Sequence, residues 1–224
     1  VLWVPSFPLP TVDSLLRSVH PGTWMADTDL GEMFLNFVLH ESLRELAGVD
    51  VTHYREAGEN GEGIRCWERW TRCAMGLKPS PYQTTQAMMM AEDVIRGDRS
   101  KPENVFRWDQ VTLNLPGDPR YDPSLPWVFK VRDDKTPSGD FSFYVDDNRT
   151  TGNSQKEAWG AARRVASVCS HLGIQDASRK RRKASQTPGA WAGAVVSTDE
   201  AGVYVSVSQE KWDKARAMVA VTLS

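Results

Sequence analysis

The stretch Phe141-Ser142-Phe143-Tyr144-Val145-Asp146-Asp147 sets aromatic and β-branched residues directly before two adjacent carboxylates. Such residues favour extended backbone and aspartate favours turns, so a strand is predicted over Asp140–Val145 with the acids just beyond it. Two readings of the acids stay open on this pattern: plain turn residues, or oxygen donors held out for a hard divalent cation. Successive side chains of an extended strand point to opposite faces, so Asp146 and Asp147 do not serve one ion equally and a further acid is needed. Asp29 supplies it. It closes a short predicted strand, Thr23–Asp29, and precedes Phe34 by five residues at the start of a helical pattern. An acid there also has a plain role beside a helix dipole. Asp27 is the alternative, and the spacing to the aromatic favours Asp29.

Working outward, the first ten residues, with Pro5, Pro8 and Pro10, read as an extended lead-in to a short helix over Thr11–Val19. After the strand Thr23–Asp29, helical spacing predicts Gly31–Ala47 as a helix, stopped by Gly48. Val49–Arg55 and Arg65–Ala74 read as strands around the turn-rich residues 58–63. Ser80, Pro81 and Gln83 suggest a capping box with an N1 proline, opening a helix with the stripe Ala87, Met88, Ala91, Val94 and Ile95, ended by Gly97. Asp98–Pro126, with five prolines, reads as an inserted excursion. Trp127–Arg132 and Asp140–Val145 are strand-like and joined by a turn over 135–139, with Asn148–Thr151 as a returning strand. Ser154 and Glu157 form a second capping box before a helix with the stripe Ala158, Ala161, Ala162, Val165, Val168, Cys169 and Leu172, closed by Gly173. Trp191–Ser197 and Gly202–Val207 predict a hairpin around Asp199-Glu200, and a last helix runs from Ser208 to Met218. Strands and helices mix without strict alternation, which predicts an α+β fold.

The 224 residues carry 27 basic and 29 acidic side chains, a net charge of −2, and are 40% hydrophobic. That excludes a collagen, a polar disordered tail and a disulfide mini-protein, and suits one sizeable domain or a core with an appendage. No apolar run approaches the roughly 20 residues needed to span a bilayer, and no signal-peptide pattern is seen, so an intracellular protein, cytoplasmic or nuclear and without a membrane partner, is expected. Three widely spaced cysteines, Cys66, Cys73 and Cys169, suit free thiols rather than disulfides or a zinc site. The charge is uneven: between Arg149 and Lys183 stand nine basic and two acidic residues. Such a chain can hold polyanions on one side and metal cations on another, although taken alone the run reads first as a solvated basic face.

In order along the chain, Asp29-Leu30-Gly31-Glu32-Met33-Phe34, then Met75-Gly76-Leu77-Lys78-Pro79-Ser80-Pro81, then Tyr144-Val145-Asp146-Asp147 resemble the first three palm motifs of reverse transcriptases. Leu172-Gly173-Ile174 with the lysines after it is similar to the fourth motif, and Trp191-Ala192-Gly193-Ala194-Val195 resembles the primer-grip hairpin. The lead-in from Leu9-Pro10 to Met25 resembles the segment before the first motif in retroelement polymerases. The Gly76 block and Ser208-Gln209-Glu210-Lys211-Trp212 are similar in style to retrotransposons, the tyrosine-recombinase type among them, rather than to retroviruses. The resemblance spans about residues 9 to 218. Each motif alone is weakly specific, and the order of five carries the likeness.

The resemblance implies a polymerase palm over 1–197, an antiparallel sheet packed on helices with 98–126 inserted, then the end of the primer-grip hairpin and a first thumb helix over 198–224. It implies an RNA-directed DNA polymerase working on an RNA template, a DNA primer and deoxynucleoside triphosphates. Asp29, Asp146 and Asp147 would be catalytic and bind two Mg²⁺ ions (Mn²⁺ the alternative) about 4 Å apart, Asp147 as a peripheral helper. Lys180, or Lys183, would protonate the departing pyrophosphate. Leu30, Phe34 and Gly76 would bind the nucleotide, Phe34 by excluding a 2′-hydroxyl; a plain core phenylalanine is its rival reading. Tyr144, Trp191, Gly193 and Arg181 would contact primer or template, with simple packing the rival for Tyr144 and a nuclear-import signal the rival for the basic run. Met75 stands where the family often has glutamine. Only 28 residues precede Asp29, so a fingers region, like a ribonuclease H region, is expected elsewhere in a longer polyprotein. A non-catalytic or decayed relative that keeps the fold and binds nucleic acid is the alternative.

Overall fold

The computed structural model of the protein describes residues 11, 12, 16, 19–54 and 65–223. The lead-in over the first ten residues, most of the expected helix 11–19 and the turn 58–63 lie outside the described residues.

The aromatic strand forms as its composition dictates, β6 (Phe141–Tyr144), and returns as β7 (Asp147–Gly152) after a two-residue turn. β7 in turn pairs antiparallel with β1 (Trp24–Asp29), giving a three-stranded sheet in the order β1-β7-β6. Alternation then sorts the side chains by face. Ala26, Thr28, Asn148, Thr150, Phe141 and Phe143 share one face; Met25, Asp27, Asp29, Arg149, Asp147 and Tyr144 share the other.

Two helices cover the first face. α2 (Pro79–Arg96) and α3 (Gln155–His171) bring Met88, Ala91, Ile95, Ala161, Val165 and Cys169 against Phe141, Phe143, Leu30 and Met33. Each large side chain fully withdrawn from water there, Phe141, Met88 and Ile95 among them, contributes about 1.5–3 kcal/mol before entropic costs. The alanine face of α3, Ala158 and Ala162 against Ala26, lets the helix sit close to β1 and β7. A second sheet lies over the other face, built from β8 (Gly189–Trp191), β9 (Ala194–Asp199) and β10 (Gly202–Ser206) in the order β10-β9-β8, with Val196 packed on Met25. The α+β class is thereby observed, as small antiparallel sheets with helices.

Several expectations are corrected. Gly31–Ala47 is not one helix: Glu32 takes the left-handed region at φ 50°, a 3-10 turn occupies Met33–Asn36, and the helix α1 (Glu41–Arg44) is a single turn. The strands expected around 58–63 shrink to β2 (Gly48–Asp50) and β3 (Trp67–Arg69). α2 starts at Pro79, so Ser80 is no cap; its hydroxyl donates to the Ala74 carbonyl at 3.0 Å. On its stripe Val94 is exposed, and Thr84 and Thr85 are buried instead. Within the 98–126 excursion, β4 (Gln110–Leu113) pairs with β5 (Val128–Val131), taking the place expected for β6. A division at residue 197 runs through β9. The cap at Ser154 forms as expected, its hydroxyl accepting from the Glu157 amide. Helix α4 (Gln209–Leu223) runs past Met218. The three cysteines are free, and burial pushes the Cys169 thiol up to about 11.

Candidate active site

Asp29 and Asp147 are direct cross-strand partners. The Leu30 amide donates to the Asp146 carbonyl at 3.0 Å, one step beyond them, so the two form a non-hydrogen-bonded pair. In such a pair the Cα atoms stand about 4.5 Å apart and the side chains approach most closely. Like charges directly opposite repel. Burial, and then the charges of Asp146, Asp29 and Asp27, push the Asp147 carboxyl above its ordinary range, while the Ala192 backbone amide pulls it down.

Asp146 itself lies in the turn, not on the strand. Val145 before it holds φ 57°, and as a β-branched residue in the left-handed region it stores strain of order 1–3 kcal/mol. A left-handed residue at the first central position alone is the type II′ pattern, whose twist suits a tight hairpin. The turn leaves Asp146 exposed at the mouth of a cleft of about 350 Å³, lined among others by Asp29, Leu30, Phe34, Met75, Asp146 and Lys180. Phe34 reaches this cleft because Asn36 locks the 3-10 turn. Its amide donates to the Gly31 and Met33 carbonyls at 2.9 and 3.1 Å, and its oxygen accepts from the Gln175 amide at 2.8 Å.

An adjoining hollow of about 140 Å³ is lined by Asp27, Asp29, Asp147, Lys180, Arg182 and Trp191, with Thr28 and Ala190. Lys180 therefore stands between the two, on a 3-10 turn (Ser178–Lys180) whose preceding Ala177 amide donates to the Asp29 carbonyl at 2.9 Å. Its ammonium is ion-paired with the Asp29 carboxylate, and that hydrogen bond raises its pKa.

The chain thus brings Asp29, Leu30, Phe34, Asp146 and Lys180 to one cleft, and Asp147 and Trp191 to its neighbour. Tyr144 is half-buried opposite Asp147 on the same face. Gly76 does not line the cleft, although Met75 does; Gly76 sits in a turn at φ 86° with open space around it. Gly193 is exposed, and its carbonyl accepts from Lys211 Nζ at 3.3 Å. Arg181 is committed to an ion pair with Asp176, and Lys183 is exposed and lines neither hollow. Asp27 is held by Arg149, so of the two acids weighed for the first position Asp29 faces the cleft. Sequence reasoning missed Arg149 itself, buried and paired with Asp27 across 122 residues. Its only signal was an arginine at a strand position, two residues after the paired acids.

Among the described residues no group of three or more His, Cys, Asp or Glu side chains is arranged to hold a metal ion. The carboxylates at the head of β1 and β7 are hard oxygen donors, the ligand type that Mg²⁺ takes, and burial, with the neighbouring acids behind it, raises the Asp147 carboxyl. No described helix is long and apolar enough to cross a membrane. Compared with known proteins, the chain matches no family model and no curated protein.

Proposed function

We infer that the chain is the palm and first thumb elements of an RNA-directed DNA polymerase from a retroelement, adding deoxynucleotides to a primer 3′-hydroxyl. The observation that supports this reading is the placement of Asp29 opposite Asp147, with Asp146 in the intervening turn and Phe34 bordering the same cleft. Asp29 and Asp146, with Asp147 beside them, would hold two Mg²⁺ ions, which when bound supply positive charge to the attacking hydroxyl and to the triphosphate. The remaining work falls to the chain. Phe34 presents a half-buried ring at the cleft wall, where it would leave no room for a 2′-hydroxyl. Lys180 keeps its proton at Nζ because Asp29 stabilises the ammonium, and from there it would donate to the departing pyrophosphate. The Ala192–Gly193 turn, left-handed at both residues as type I′ geometry requires, would present backbone to the primer.

One observation favours a second reading, a nucleic-acid-binding relative without turnover: Lys180 already neutralises Asp29. Primer extension on an RNA template with Mg²⁺ separates the two, comparing the wild-type chain with Asp146→Asn and Phe34→Ala. The polymerase reading expects extension, its loss by at least about 100-fold in Asp146→Asn, and ribonucleotide incorporation by Phe34→Ala. Template binding without extension, or equal extension by Asp146→Asn, overturns it.

A further inference from the structure

Behind the acid pair, on the same face of the sheet, lies a second cross-strand pair, Asp27 and Arg149. The guanidinium meets the carboxylate with both prongs, Nε to Oδ1 at 2.7 Å and Nη2 to Oδ2 at 2.9 Å. Arg149 is only 3% exposed. Its guanidinium carbon stands 4.9 Å from the ring centroid of Trp191, which is 4% exposed and ends β8. Neither Arg149 Nη1 nor Trp191 Nε1 has a hydrogen-bond partner, so what joins them is the stack of a planar cation on an aromatic face, strongest where water is excluded. Ala190 and Trp191, which lead into the Ala192–Gly193 turn, line the same hollow as Asp27, Asp29 and Asp147.

We propose that Arg149 is a positioning residue: gripping Asp27 on one side and Trp191 on the other, it fixes the Ala192–Gly193 turn over the acid pair and so sets where a primer end meets Asp29 and Asp147. The proposal rests on the polymerase reading for its functional half and on geometry alone for its structural half. A lysine cannot replace the arginine, because an ammonium offers neither the two-pronged fork nor a flat face to stack.

Two variants of the full chain test it: Arg149→Lys, and the double variant Arg149→Met with Asp27→Leu, which leaves no buried charge orphaned and so preserves folding. Amide hydrogen exchange without substrates is expected to speed up about tenfold over residues 189–196 in both, while α3 keeps its protection. In primer extension, KM for primer–template is expected to rise about tenfold, with KM for the deoxynucleotide and kcat changing less. Unchanged exchange over 189–196 in the double variant, wild-type behaviour of Arg149→Lys, or a fall in kcat with KM unaltered each overturns the clamp. A wild-type chain that extends no primer removes the polymerase reading, and the exchange experiment still decides whether Arg149 holds the hairpin.

Discussion

Single side chains here are in tension between fold and site. Asp147 faces Asp29 at the closest kind of strand contact, so its charge works against the sheet. Asp147→Asn is expected to raise stability by about 0.2–1 kcal/mol, read as a higher urea midpoint, while lowering any metal-dependent extension less than Asp146→Asn does. Unchanged or increased extension with that substitution would show that Asp147 has no part in catalysis. Asp140 has the opposite character. Burial works to raise its carboxyl, but Lys130 at 3.0 Å and Arg96 at 3.1 Å outweigh burial and hold it below the ordinary carboxylate range. A carboxyl lowered in the fold lends stability above the ordinary carboxylate value and withdraws it as pH falls through the lowered one. Asp140→Asn should therefore cost about 1–3 kcal/mol at neutral pH, and the gap from wild type should close on acidification below the carboxylate range. Urea titrations at the two pH values measure both.

Elements hold their predicted places where local chemistry and tertiary packing agree. α3 is legible end to end because Ser154 caps it, alanines line one side, and Gly173, at φ 74°, ends it with the Ile174 amide on the Cys169 carbonyl at 2.8 Å. The stretch 31–47 misleads because its apolar spacing is helical while Asn36 and the left-handed Glu32 spend the backbone's hydrogen bonds on a tight turn. β4 is illegible: three of its four residues are exposed, so no alternation marks it. The contact between β7 and α3 gives a prediction at this scale. A Cβ on Gly152 would lie 2.6 Å from the Ala158 backbone nitrogen, closer than real contacts allow, with Glu157 at 3.0 Å. Gly152→Ala should push the helix off the sheet and cost about 1–3 kcal/mol, visible as a lower thermal midpoint. An unchanged midpoint would mean that the helix can shift freely.

Over the whole molecule, charge and burial are divided by region. The acid row, the basic 3-10 turn and the second sheet meet at one end of β1 and β7, whereas α4 buries none of its described side chains. Deleting residues 209–224 should accordingly move the thermal midpoint by no more than about 2 °C, as surface changes do. A large drop would reveal packing by α4. The acids of the site are legible from local pattern, since Asp29, Asp146 and Asp147 each sit at the end of a readable element. Their counterpart Arg149 is not, because only the pairing of strands 122 residues apart brings it to Asp27.

That pairing also dictates what kinds of genetic change the chain can absorb. Asp29 meets Asp147, and Asp27 meets Arg149, only because both strands keep step in units of two. One residue gained or lost within 24–29 or 147–152 would turn the row over to the helices, carrying acids into the apolar side and Thr28 or Asn148 out of it. Lineages that carry this gene should therefore tolerate substitutions at those of the twelve positions that hold neither the acid row, Arg149 nor Gly152 far better than single-codon insertions or deletions anywhere in the two strands. The spacing of the letters matters here as much as the letters themselves.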